Sequence, residues 1–135
     1  MAKKNLWGQI PGAADIVTPT KLLKEQASEL TNLTKGVLEG SVRVVREEST
    51  FEIHLLIVAP FLDNYEYLVV YALHSVDLYP VTVGPGWERY NPKQRKECAD
   101  SEQFEAAVGE ILSSQQTRRV IQSLLAQSHS TAQKV

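Results

Sequence analysis

Glu52 and His54 stand two residues apart in the segment TFEIHLLIVA, Thr50 to Ala59. A strand through that segment turns both side chains to one face. An imidazole beside a carboxylate is the minimal equipment for general acid–base chemistry, because imidazole titrates near neutrality. His74 and Glu66 lie in the next apolar run, YEYLVVYALHS. Glu52, His54 and His74 therefore form a candidate ligand-binding group on one sheet face. Against catalysis, an antiparallel pairing sets His54 and His74 far apart along the strands, and no third group completes a triad. No HExxH, CxxC or paired-His spacing is present, so neither a metal nor a cofactor is expected.

A second concentration of reactive residue types lies in VGPGWERYNPKQRKECADSEQF, Val83 to Phe104. The only cysteine, Cys98, follows Lys93, Arg95 and Lys96, and nearby cations favour a thiolate. A nucleophile also needs a base and an oxyanion site, and neither can be named here. Gly84-Pro85-Gly86 lacks the length and the trailing Lys-Ser/Thr of a phosphate loop, so it reads as a turn. Trp87 and Tyr90 among cations could stack bases of a single strand while Lys93, Arg95 and Lys96 neutralise phosphates. Glu88, Glu97, Asp100 and Glu102 in the same stretch oppose this, and nucleic acid is not the expected partner. The segment is expected to be first a bridge, with Trp87 anchored on the core. Trp87, Tyr90 and Arg95 are its candidate protein-interaction residues.

Composition sets the frame for these groups. A chain of 135 residues supports one core, with 43% hydrophobic and 22% charged residues as in ordinary globular proteins. A net charge of −2 gives no global pull toward nucleic acid or anionic membrane. One cysteine excludes an internal disulfide framework. The start MAKKNLWGQIPGAAD has two lysines but no apolar run after them, and no stretch approaches the roughly 20 apolar residues of a spanning helix. A cytoplasmic protein with no membrane partner is the expectation.

The elements that must position the candidates can be read from periodicity. Residues 1–17 carry Gly8, Pro11 and Gly12 without a period and predict an irregular arm, tacked down by Trp7 and Ile10. Thr18 caps a helix with Pro19 at its first position, and Leu23, Ala27 and Leu30 share its stripe. VLEGSVRVV and TFEIHLLIVA flank a turn at Arg46 to Ser49, with Val44 predicted opposite Phe51 and Val42 opposite Ile53. A third strand runs from Tyr65, its odd positions through Tyr71 and Leu73 extending the same face. A fourth, LYPVTV, is placed at the sheet edge because Pro80 cannot donate to a ladder. Phe104, Ala107, Val108, Ile111 and Leu112 predict a helix, and Val120, Ile121, Leu124 and Leu125 a second apolar stripe. The expected fold is α+β: an N-terminal helix, a four-stranded antiparallel meander and one or two C-terminal helices. It divides as an arm at 1–17, one domain at 18–128 and a disordered tail at 129–135.

The second face of that sheet is mixed. Glu52 and His54 lie among Leu56, Leu68 and Val70, so something apolar should cover part of it, either the C-terminal helices or a second copy of the chain. If one C-terminal stripe covers it, the other is left exposed, which predicts a homodimer and makes Leu124 and Leu125 candidate interaction residues, unless a bend at Ser113 to Thr117 folds both stripes back over the sheet. With catalytic constellations incomplete, the leading expectation is a non-enzymatic protein-interaction module of adaptor, chaperone-like or immunity type, with an unknown protein partner. The alternatives are a small-molecule binder or small enzyme at Glu52, His54 and His74, and single-strand binding through Trp87 to Lys96.

Overall fold

The computed structural model describes residues 3–132. Helix α1 (Pro19–Leu33) leads into five antiparallel strands, β1 (Glu39–Glu47), β2 (Thr50–Ala59), β3 (Tyr65–His74), β4 (Val81–Pro85) and β5 (Lys96–Cys98). Helices α2 (Ser101–Leu112) and α3 (Gln115–Ala132) follow. The strands lie in the sheet in chain order. The fold is α+β, with one strand more than the sequence suggested.

Helix α1 starts as its sequence requires. The Thr18 hydroxyl accepts the Lys21 N–H at 3.0 Å, and Pro19 occupies the first turn. Leu22, Leu23 and Ala27 are buried on its sheet-facing side. Gly40 on β1 makes this contact close, because a Cβ there would sit 2.3 Å from the Ala27 backbone. Past the end of α1, Gly36 takes φ +81°, and its N–H reaches the Thr31 carbonyl at 2.9 Å.

The β1–β2 turn is tighter than predicted. Both strands run to the turn, with Glu47 opposite Thr50 and Glu48 at φ +55°. Val44 therefore faces Ile53, and Val42 faces Leu55. The two-residue shift from the predicted pairing keeps every side chain on its predicted face, since side chains alternate with period two. The β2–β3 pairing does not keep its faces. Leu55 pairs with Val70 but Leu56 pairs with Leu68, so Val69 is an extra residue on β3. Tyr65 and Tyr67 stay on the helical side opposite Ala59 and Ile57. Beyond the bulge Tyr71 and Leu73 cross to the second face, opposite His54 and Glu52.

Strand β4 is an inner strand, because β5 pairs with its other edge and sets Cys98 against Val81. Pro80 precedes the ladder and costs it nothing. The side chain of Asp100 then accepts the Gln103 N–H at 2.9 Å and starts α2. Between α2 and α3 the chain bends at Ser113 and Ser114. There the Thr117 hydroxyl donates to the Ile111 carbonyl at 2.7 Å and Ser114 Oγ accepts the Thr117 N–H at 3.2 Å. The bend brings both apolar stripes onto one core with α1: Phe104, Ala107, Val108 and Leu124 are buried, while Val120, Ile121 and Leu125 pack at its margin. No leftover stripe remains on these helices, so the argument for a dimer from Leu124 and Leu125 does not hold. Leu124 is a core residue and Leu125 packs against the core's margin.

Two further expectations change. The arm is not tacked down by its large side chains: Leu6, Trp7 and Ile10 are 83%, 84% and 70% exposed. Its anchor lies at its end, where the Tyr79 hydroxyl donates to the Val17 carbonyl at 2.8 Å. At the other terminus α3 continues to Ala132, so residues 129–132, expected in a disordered tail, are helical. The rest of that tail, 133–135, lies outside the described residues.

Candidate functional site

The second face is covered in part by the chain segment between β4 and β5. After Pro85 the chain turns back against β3, so closely that a Cβ on Gly86 would stand 2.0 Å from the Leu68 carbonyl oxygen. Neither the C-terminal helices nor a second copy is needed for this cover. From the segment two arginines reach the face. Arg89 Nη2 donates to Glu52 Oε2 at 2.5 Å, and His54 Nε2 meets the same carboxylate oxygen. Arg95 Nε donates to the Tyr71 hydroxyl at 3.0 Å, and its Nη2 donates to the Arg89 carbonyl at 3.2 Å. Tyr71 is buried because its ring lies across β4 at Gly84, where a Cβ would meet the hydroxyl at 2.7 Å. The two arginines thus tie the segment to the sheet and to each other.

Glu52 and His54 are brought together, as strand alternation requires. His74 is not with them. It faces Phe51 on the helical side, stacked on that ring with centroids 5.3 Å apart, and its Nδ1 is 2.6 Å from the Ser75 carbonyl. The predicted three-residue group is therefore split across the sheet, because the bulge at Val69 reverses which β3 positions share a face with His54. Glu66 does lie on the second face, but its carboxylate takes Arg43, at 3.1 and 3.2 Å. What remains is an imidazole and a guanidinium on one carboxylate, with side chains 13% exposed for His54 and 19% for Glu52. An imidazole oriented by a carboxylate is useful in catalysis when its other nitrogen faces a substrate cleft. Here the carboxylate is already matched by Arg89, and the cluster fastens a loop. Among the described residues no group of three His, Cys, Asp or Glu is placed to hold a metal ion.

A partly open apolar cavity of about 200 Å³ lies on the opposite side, between α1, the C-terminal helices and the sheet, bordered by Leu30, Leu55, Ile57, Val69, Leu112 and Ile121. Ligand pockets typically hold about 300–1,000 Å³. This one is below that range and reads as a seam between helices.

The remaining candidates of the β4–β5 segment separate. Trp87 is half-buried and packs against the core, Tyr90 is exposed with Arg89 above its ring, and Arg95 is engaged by Tyr71. Of the stacking-and-phosphate arrangement, Trp87 and Arg95 have intramolecular partners, whereas Tyr90, Lys93 and Lys96 stay exposed. Cys98 is fully buried, and burial pushes its thiol up, with Lys96 pulling it down less strongly. The pull of the cationic neighbours is outweighed because the cysteine is buried in the core. Tyr79 shares this corner, its phenol raised first by burial and then by the charges of Asp100 and Cys98.

Both groups hold their protons more tightly in the folded chain than in the unfolded one. Their contribution to stability is full below the ordinary thiol and phenol ranges and is lost as pH rises through the raised native values. Urea midpoints should therefore fall between about pH 7.5 and about pH 10.5, and fall less in Cys98→Ala.

Sequence reasoning missed Arg89 altogether. A signal existed: a carboxylate at Glu52 on a half-apolar face calls for a cation, and the nearest surplus of cations follows the Gly84–Gly86 turn. Across the described residues no helix is long and apolar enough to cross a membrane. Comparison with protein-family models, with curated proteins and with solved structures finds no match.

Proposed function

We propose that this chain is a non-enzymatic protein-interaction module of the adaptor, chaperone-like or immunity type, acting in the cytoplasm on a protein partner. The observation that carries the proposal is the arm. Leu6, Trp7 and Ile10 are three large apolar side chains within five residues, each at least 70% exposed, with Val17 as the arm's backbone anchor. Large apolar side chains left this exposed are suited to burial against a partner, and tryptophan is among the residues most enriched where binding energy concentrates. Tyr90, in the β4–β5 segment, adds a second exposed aromatic. The self-matched state of Glu52, His54 and Arg89 supports the same reading over a small enzyme or ligand binder. The loss of Trp87 and Arg95 to intramolecular contacts weighs against single-strand binding.

Affinity capture from the native host tests the proposal. The wild-type chain is expected to retain a stoichiometric protein that the Leu6→Ser/Trp7→Ser/Ile10→Ser variant loses, with both chains giving the same circular dichroism. Turnover of a substrate abolished by Glu52→Gln or His54→Gln, with the serine variant unaffected, contradicts it.

A further inference from the structure

We infer that the outer edge of β1 pairs antiparallel with β1 of a second copy, about a two-fold axis at Val45. The inference rests on the reading of this chain as an interaction module and names one partner for it.

The hydrogen bonds of α1 reveal which backbone groups of β1 point outward. The Gly40 N–H goes to Thr31 Oγ1 at 3.0 Å and the Leu38 N–H to Thr34 Oγ1 at 3.1 Å, not to β2. Because β1 pairs with β2 in one unbroken register, the same parity holds along the strand, and Val42, Val44 and Arg46 also aim their N–H and C=O groups away from β2. Beyond Gly40 no hydrogen bond from α1 reaches this edge among the described residues. Among the described residues these outward groups have no protein partner, while Val44 and Val45 are 47% and 42% exposed. The edge has no proline and no bulge to blunt it. The other sheet edge, β5, offers only three residues.

Charge selects both the partner and the register. An axis at Arg43 would set that arginine against its own copy, and an axis at Val44 would set Arg43 against Val45. With the axis at Val45, Arg43 faces Glu47 of the other copy twice over, Val45 packs on Val45, and Val44 exchanges both backbone hydrogen bonds with Arg46. Opposite charges and β-branched pairs directly across are the favourable cross-strand combinations. This register also stops short of Leu38 and Gly40, which α1 already satisfies. The exposed pairing of Arg43 with Glu66 is no obstacle, since such surface pairs contribute little. The contact is short, so self-association should be weak.

Sedimentation equilibrium from about 10 μM to about 1 mM is the test. The wild type should pass from monomer to dimer. Arg43→Glu should weaken the association about tenfold or more, and Arg43→Glu/Glu47→Arg should restore it. Val44→Pro, which removes an outward N–H that the monomer does not use, should abolish it without unfolding the chain. Under mild oxidation Val45→Cys should give a disulfide dimer and Arg43→Cys should not, Cys98 being buried in both. A wild type that stays monomeric to the highest concentration overturns the inference. So does association that survives Val44→Pro, or a crosslink at position 43 rather than 45. Any of these leaves the proposed function standing if arm-dependent capture persists.

Discussion

Replacing Phe104 by alanine should cost about 3–5 kcal/mol of stability, the largest effect of any single truncation considered. The ring is fully buried and is the largest side chain that α2 sends into the core. It belongs to a buried cluster drawn from separate elements, among them Leu23 of α1, Val81 and Val83 of β4 and Cys98 of β5. Removing it loses the transfer energy of the ring and leaves a hole that backbone on several sides cannot close. Phe104→Leu should cost far less, about 1–1.5 kcal/mol, because most of the volume stays. Urea unfolding of the two variants measures the difference. A cost below about 1 kcal/mol for the alanine variant would mean that α2 does not sit on this sheet.

Gly86→Ala should produce the next largest effect, and one with a local signature. Its φ is not the issue; the contact is. The added methyl would stand 2.0 Å from the Leu68 carbonyl oxygen and 2.7 Å from Leu68 Cγ, so the turn must lift away from β3. Overpacking of this kind costs about 1–3 kcal/mol. Lifting the turn also draws Arg89 from Glu52 and His54, and it exposes Trp87, which sits beside Gly86. In a Trp7→Phe background, which leaves Trp87 as the only tryptophan, the native emission of Gly86→Ala should shift to the red. Gly109→Ala, where a Cβ meets nothing within 4 Å, should leave the spectrum unchanged and stability equal or higher. An unshifted spectrum with full stability in Gly86→Ala would show that the segment does not lie against β3.

How far the fold could be read from sequence differed by element, for physical reasons. Helix α1 and the β1–β2 hairpin were legible because a Thr-Pro cap and alternating valines are local signals that packing reinforces. The bulge at Val69 was not, although Leu68-Val69-Val70 breaks the alternation. A run of apolar residues marks burial on both faces as well as it marks a bulge. Strand β5 escaped because Lys96-Glu97-Cys98 has no strand propensity to speak of; β4 recruits it by offering an open edge and a place for Cys98 in the core. The candidate site was half legible. Glu52 and His54 needed only period two, but His74 depended on the bulge and Arg89 on a loop path that no periodicity encodes.

The β1 edge shows the same limit. Its valines and charges are visible in the sequence, yet which of its amides point outward follows only from Thr31 and Thr34 reaching Gly40 and Leu38.

The central claim is that the arm contacts a protein partner while the Glu52–His54 cluster serves only to hold the β4–β5 segment. Photo-crosslinking in the native host addresses it directly, with benzoylphenylalanine placed at Trp7 in one chain and at His54 in another. The account predicts a discrete protein adduct from position 7 and none from position 54. No adduct from position 7, together with a specific adduct from position 54, would contradict it.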